Sequence, residues 1–192
     1  MGSSESNYNK FIMTGKIAAL GNINSLLEEN EETARTISLA GKNFCYYNMF
    51  RDCYSLTSTP VLPATTLAER CYDSMFRKCT SLTQAPALPA TTLAERCYDS
   101  MFSQCTSLTT APELPATILA NYCYYSMFNG CKSLSSLKVA FTSWGSNLGR
   151  PTTAWLNNVA ATGTFECPQA LIDNTTERGG STVPESWTMV AV

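Results

Sequence analysis

Two spacings of apolar residues alternate along the middle of this chain. The segment Leu82-Thr83-Gln84-Ala85 reads apolar, polar, polar, apolar. It predicts a short strand with Leu82 and Ala85 inward and Thr83 and Gln84 facing out. Pro86 and Pro89 follow, and neither can donate to a ladder or enter a helix interior. The chain must turn there, with Ala87 or Leu88 as its inward residue. The equivalent of Ala87 one repeat later is Glu113, whose unpaired burial would be costly, which favours Leu88. The second spacing puts Leu93, Cys97 and Met101 at i, i+4, i+8, widened by Ala94, Tyr98 and Cys105 with Phe102 at the edge. This predicts a short amphipathic helix. Thr92…Glu95 and Thr66…Glu69 match the capping box that starts helices; the third copy carries Ile118 and Asn121 instead and should start less sharply.

The whole unit recurs. Copies begin at Cys45, Cys71 and Cys97, with a truncated one at Cys123, a period of 26 residues. Such self-similarity marks a solenoid, in which each unit covers its neighbour's apolar face. The expectation is an α/β stack with short parallel strands on one side, short helices on the other, and a cap at each end. As one structural domain it divides into an N-terminal cap (1–44), repeats at 45–70, 71–96, 97–122 and 123–140 (partial), and a C-terminal cap (141–192). Within the first cap, Lys10–Thr14 reads as an opening strand and Ser25…Glu28 has capping-box spacing. The second cap holds Trp144, Trp155, a strand-like Gly163-Thr164-Phe165, a loop at Arg178–Ser181 and a closing strand at Trp187–Val190.

Composition narrows the function more than the fold. The formal charge is −2 and charged residues make up 15% of the chain, so there is no basic footprint for nucleic acid or anionic membrane. No apolar run reaches the length of a membrane span. The polar opening residues lack the basic and apolar regions of a secretory signal. Nine cysteines and no histidine are present. Eight of the nine belong to the repeat, always eight apart, at 45/53, 71/79, 97/105 and 123/131. Rows of buried free thiols, a diagonal bridge between coils, and a metal site all remain open as readings. Metal is disfavoured by the missing CxxC spacing and missing His partners, and no cofactor is implied. Without histidine a Cys or Ser nucleophile lacks its usual base, so no catalytic residue is assigned. Glu95 and Asp99, i and i+4 on the expected helix, read as water-facing charges with Arg96.

The motif repeated here is Met49-Phe50, Cys53, Ser55-Leu56-Thr57; Met75-Phe76, Cys79, Ser81-Leu82-Thr83; Met101-Phe102, Cys105, Ser107-Leu108-Thr109; and Met127-Phe128, Cys131, Ser133-Leu134-Ser135. It resembles the BspA-type leucine-rich repeats of Bacteroides and related gut or oral bacteria, over about residues 45–140. The resemblance implies a right-handed leucine-rich-repeat solenoid and a non-catalytic adhesion or protein-binding role at a cell surface or outside the cell. Its partner would be a host or bacterial surface protein or a glycan. No nucleic acid, no membrane insertion and a monomeric state are expected. A structural spacer or stalk, or a virion or tail-associated host-recognition component of a phage, are the alternative readings. The candidate binding residues are the outward strand pairs Thr57-Ser58, Thr83-Gln84, Thr109-Thr110 and Ser135-Ser136, a row of hydroxyls and an amide almost without charge. Variation among the copies concentrates at Tyr54/Thr80/Thr106/Lys132, at Ser58/Gln84/Thr110/Ser136, and at Arg51-Asp52/Arg77-Lys78/Ser103-Gln104/Asn129-Gly130. Those positions are either where recognition lies or simply solvated sites that tolerate change.

Overall fold

The structure is a computed structural model and describes residues 15–27, 30–36, 38–145, 149–174 and 183–192. The strand expected at Lys10–Thr14 and the loop at Arg178–Ser181 lie outside these. In chain order the regular elements are β1 (Ile17–Ala18), a 3-10 turn (Ile23–Leu26), α1 (Glu31–Thr36), β2 (Leu56–Ser58), β3 (Ser136–Lys138), β4 (Gly163–Cys167), α2 (Gln169–Asp173) and β5 (Trp187–Ala191). β1 pairs with β2, and β3, β4 and β5 form a second sheet in that order, all in parallel. The 3-10 turn begins two residues ahead of the expected Ser25 start, because the Asn22 side chain accepts from the Asn24 amide and caps it.

The helix expected through Leu93, Cys97 and Met101 is not helical. Residues 95–104 form a run of overlapping turns, and their amides alternate between two jobs. Cys97, Asp99, Met101, Ser103 and Cys105 each donate to the carbonyl three residues back, at 3.0–3.3 Å. Arg96, Tyr98, Ser100, Phe102 and Gln104 instead donate to the next copy, to the carbonyls of Asn121, Cys123, Tyr125, Met127 and Asn129, at 2.7–3.0 Å. The same alternation joins 44–52 to 69–77, 70–78 to 95–103, and 122–130 to 149–157. An α-helix would spend both sets of amides within itself; here half of them bind one coil to the next.

This geometry needs a left-handed residue at every fourth position. Arg96, Ser100 and Gln104 have φ of 53°, 53° and 64°, and the series recurs at Phe44, Asn48, Asp52; Arg70, Ser74, Lys78; Tyr122, Ser126, Gly130; and Arg150, Ala154, Asn158. Each non-glycine residue held there costs on the order of 1–3 kcal/mol. The inter-coil bonds and the packing beneath them offset that cost. The capping-box threonines cap nothing: Thr66 and Thr92 form a parallel bridge with each other. The last series, 150–158, is a further coil built from residues that do not carry the repeat motif.

Stacking in register explains why the repeat is so uniform. Tyr46, Tyr72, Tyr98 and Tyr124 form one column with ring centroids 5.5–5.9 Å apart and planes within 10°. Phe50, Phe76, Phe102 and Phe128 form a second, at 5.5–5.7 Å. Met75, Met101 and Met127 lie buried beside them. Leu56, Leu82, Leu108 and Leu134 are fully buried on the strand side, and Leu88 is buried while Ala87 is exposed, as the Glu113 equivalence required. Truncating Leu108 to Ala should cost about 2–5 kcal/mol.

The strand side is less regular than expected. Between the two small sheets the copies share, among the described residues, only single bridges: Thr66 with Thr92, Gln84 with Thr110 and Leu114 with Val139. Pro86 and Pro112 follow the outward pairs almost at once, supply no amide and hold the preceding residue extended, so the ladder cannot lengthen. At the C-terminal end the strands expected at 163–165 and 187–190 are present as β4 and β5. Trp187 lies over Gly163, where a Cβ would fall 2.5 Å from the indole ring. Trp144, Trp155, Phe141 and Phe165 pack into one aromatic cluster that closes the Tyr124 end of the core.

Candidate functional site

Burial of Leu56, Leu82, Leu108 and Leu134 fixes the direction of the residues that follow each of them. Thr57, Thr83, Gln84, Thr109, Thr110 and Ser135 are exposed, and Ser58 and Ser136 are half-buried. Six of the eight candidate side chains are thus exposed, and Gln84 and Thr110 are directly adjacent on neighbouring copies. Some of these hydroxyls serve the stack. Thr109 donates both its amide and its Oγ1 to the Thr83 carbonyl, each at 3.1 Å. Thr57 Oγ1 donates to the Ile17 carbonyl at 3.1 Å. Ser58 Oγ is buried and makes no hydrogen bond among the described residues, so it belongs to the interior and not to the display face. The face that remains is polar and almost uncharged, bounded by the Lys138–Glu113 pair at 2.9 Å. That carboxylate raises the Lys138 pKa.

The turn side carries charges that the sequence pattern placed wrongly. Glu95 is exposed, but Asp99 is buried (6% exposed), because no helix face exists to turn it outward. Arg96 Nη1 reaches Asp99 Oδ2 at 2.8 Å, and Ser100 Oγ donates to Asp99 Oδ1 at 2.8 Å. Asp73, one coil away, is buried alike and accepts from Ser74 Oγ at 2.8 Å. Burial first, and then the neighbouring Asp99 charge, pushes the Asp73 pKa up to about 7. Burial also raises Asp99. Aromatic pairs flank this group at both ends. Arg70 sits over Phe44 at 5.5 Å and Arg96 over Tyr122 at 4.2 Å, within cation–π range. Phe44 meets Tyr47 edge-on, and Tyr122 meets Tyr125 in the same way. The partners of both aspartates are side chains of the stack itself.

A third feature joins two sets of variable positions that the sequence left separate. On both sides of the second cysteine of each coil, a groove of about 650 Å³ runs across successive copies, walled by Tyr54, Lys78, Gln104, Asn129 and Lys132. Most of its residues come from the columns 78/104/130 and 54/80/106/132, joined by Asn129 and Asn158. Sequence variation marked these positions, but only the stacking brings them into one concave surface.

All nine cysteines are free thiols, eight of them buried and Cys45 half-buried. Among the described residues no group of three or more His, Cys, Asp or Glu side chains is placed to hold a metal ion, and no helix is long and apolar enough to cross a membrane. No protein-family profile, curated protein or solved structure matches the chain.

Proposed function

We propose that the chain is a leucine-rich-repeat solenoid, capped at both ends, that works as a non-catalytic protein- or glycan-binding module of a bacterial surface protein. The observation that carries this reading is the fixed row of exposed hydroxyl and amide side chains: Thr83, Gln84, Thr109 and Thr110 sit on adjacent coils of a backbone whose amides bind coil to coil. A rigid array of this kind meets a flat polar partner with little ordering cost, and weak contacts add up along it. The missing histidine and the commitment of the buried aspartates to the stack favour binding over catalysis. Adhesion at a surface follows from the repeat resemblance.

The near-identity of the two central copies favours a second reading, a spacer that holds something else in place, since a specific face tends to diversify. One experiment separates the two. Labelled protein is tested on immobilised matrix proteins, a glycan array and bacterial cells, beside a folded variant carrying Gln84→Glu and Thr110→Glu. Saturable binding that this variant loses supports the module. No binding to any of these surfaces contradicts it and favours the spacer.

A further inference from the structure

We propose that the groove beside the strand face is a binding site for an anionic oligosaccharide, one bearing carboxylate or sulfate groups. This rests on the reading of the chain as a binding module but places a distinct ligand on a distinct surface. Four observations converge on it.

The first is charge. Among the residues that line the groove are two lysines and no carboxylate, in a chain whose net charge is −2. Lys132 is exposed and has no ion-pair partner among the described residues, and Lys78 has only Asp52, at 3.9 Å. Two ammonium groups in a concave surface attract an anion more strongly than the same charges on a convex one.

The second is hydrogen-bonding capacity. Gln104, Asn129 and Asn158 offer amides, and Thr80 and Thr106 offer hydroxyls, at the repeat spacing of the stack. Coils that stack in this way are about 4.8 Å apart, close to the advance of one sugar ring along a linear chain. A peptide would need pockets for its alternate side chains; a glycan needs this row of donors and acceptors.

The third is the aromatic wall. Tyr54 is 54% exposed at the end of the groove and is its one aromatic lining residue. An exposed ring face suits the apolar C–H face of a pyranose.

The fourth is Gly130. It occupies the left-handed position that Asp52, Lys78, Gln104 and Asn158 fill in the other coils, with φ of 80°. A Cβ there would meet Gln104 Cγ at 3.3 Å. The missing side chain opens the floor of the groove between Gln104 and Lys132.

The test uses the full chain and two variants, Lys132→Gln and Tyr54→Ala, both altered at exposed side chains. Thermal unfolding of each variant is compared with the parent to show that the fold is kept. The probes are a heparin-derived sulfated oligosaccharide, an oligogalacturonate, a neutral dextran oligosaccharide and an oligoglutamate peptide, each titrated by calorimetry at low and at physiological salt. The expected result is binding of a sulfated or carboxylated oligosaccharide, weakened by salt and absent for dextran. Lys132→Gln should lower affinity about tenfold, the effect of one charge-assisted contact, and Tyr54→Ala should also weaken it. Binding of the peptide as tightly as of the sugars overturns the proposal, and so does sugar binding indifferent to both groove substitutions. Failure of every charged sugar, together with a partner captured on the strand face, refutes the groove site and leaves the module reading standing. Failure on both surfaces refutes both.

Discussion

The Cys105 thiol donates to the carbonyl oxygen of Phe76, one coil back, at 3.0 Å. The same carbonyl already accepts the Cys79 amide at 3.0 Å, so the thiol takes its second lone pair. Cys79 to Phe50 and Cys131 to Phe102 repeat the contact, at 3.1 and 3.0 Å. This cysteine is thus a small core residue with a donor pointed along the stack. Cys105→Ala should destabilise by roughly 1–3 kcal/mol, combining a cavity with a lost hydrogen bond. Cys105→Ser keeps the donor and should cost less. Urea denaturation of the two variants, followed by tyrosine fluorescence, measures the difference.

The first cysteine column has an exception at its open end. Cys45 is half-buried, and its pKa is lowered chiefly by a hydrogen bond from the Cys71 side chain. Burial raises the thiols of Cys71, Cys97 and Cys123, the last to about 12. Thiolate is the reactive form. Mild alkylation of the native protein, read by peptide mass spectrometry, should modify Cys45 first, with a rate that rises with pH through its lowered pKa. The buried cysteines should react only after unfolding.

The tyrosine column separates two outcomes of the same substitution. Tyr46 Oη donates to Asn24 Oδ1 at 3.1 Å and also lies 3.3 Å from the Ile23 carbonyl, tying the N-terminal segment to the stack. Tyr72 Oη is buried without a hydrogen-bond partner among the described residues. Tyr46→Phe should therefore lose about 1 kcal/mol, whereas Tyr72→Phe should be neutral or stabilising by a similar amount. Denaturation midpoints of the pair decide this.

Asp73 gives the stack a pH dependence of definite sign. Its folded pKa, about 7, lies above the 3.8 of an unperturbed aspartate, so the native state holds the proton more tightly. The stability from this group is full below about pH 4, declines as pH rises toward 7, and is absent above it. Asp99, raised for the same reason, acts in the same direction. Asp73→Asn should flatten the decline and raise stability at pH 8 by about 1–3 kcal/mol. Unfolding free energies measured from pH 4 to pH 8 on both proteins give the comparison.

Much of this architecture was legible in the sequence because stacking repeats the same demand in each copy. The inward leucines, the choice of Leu88 over Ala87 and the strands at 163–165 and 187–190, which extend to Cys167 and Ala191, all follow from patterning or burial cost. The helix at 93–105 was misread for a physical reason. A run of turns with a left-handed residue at every fourth position buries Cys97, Met101 and Cys105 at intervals of four, which an amphipathic helix also does over so short a span. Nothing in Arg96, Ser100 or Gln104 announces positive φ, since glycine marks that position only at Gly130. The same misreading turned Asp99 toward water. In the candidate site, the outward threonines were readable from the neighbouring leucines, but the groove joins residues from different copies and needed the register of the stack.

The coil-to-coil amide ladder holds every surface discussed above in place, and it is directly measurable. Hydrogen-bond couplings across N–H···O=C bonds, recorded by NMR on isotope-labelled protein, connect a donor nitrogen to its acceptor carbonyl carbon. A coupling from Tyr98 N to Cys123 C′, and from Phe102 N to Met127 C′, is the expected result. Couplings from Tyr98 to Ala94 and from Phe102 to Tyr98, the pattern of an α-helix, would contradict the account.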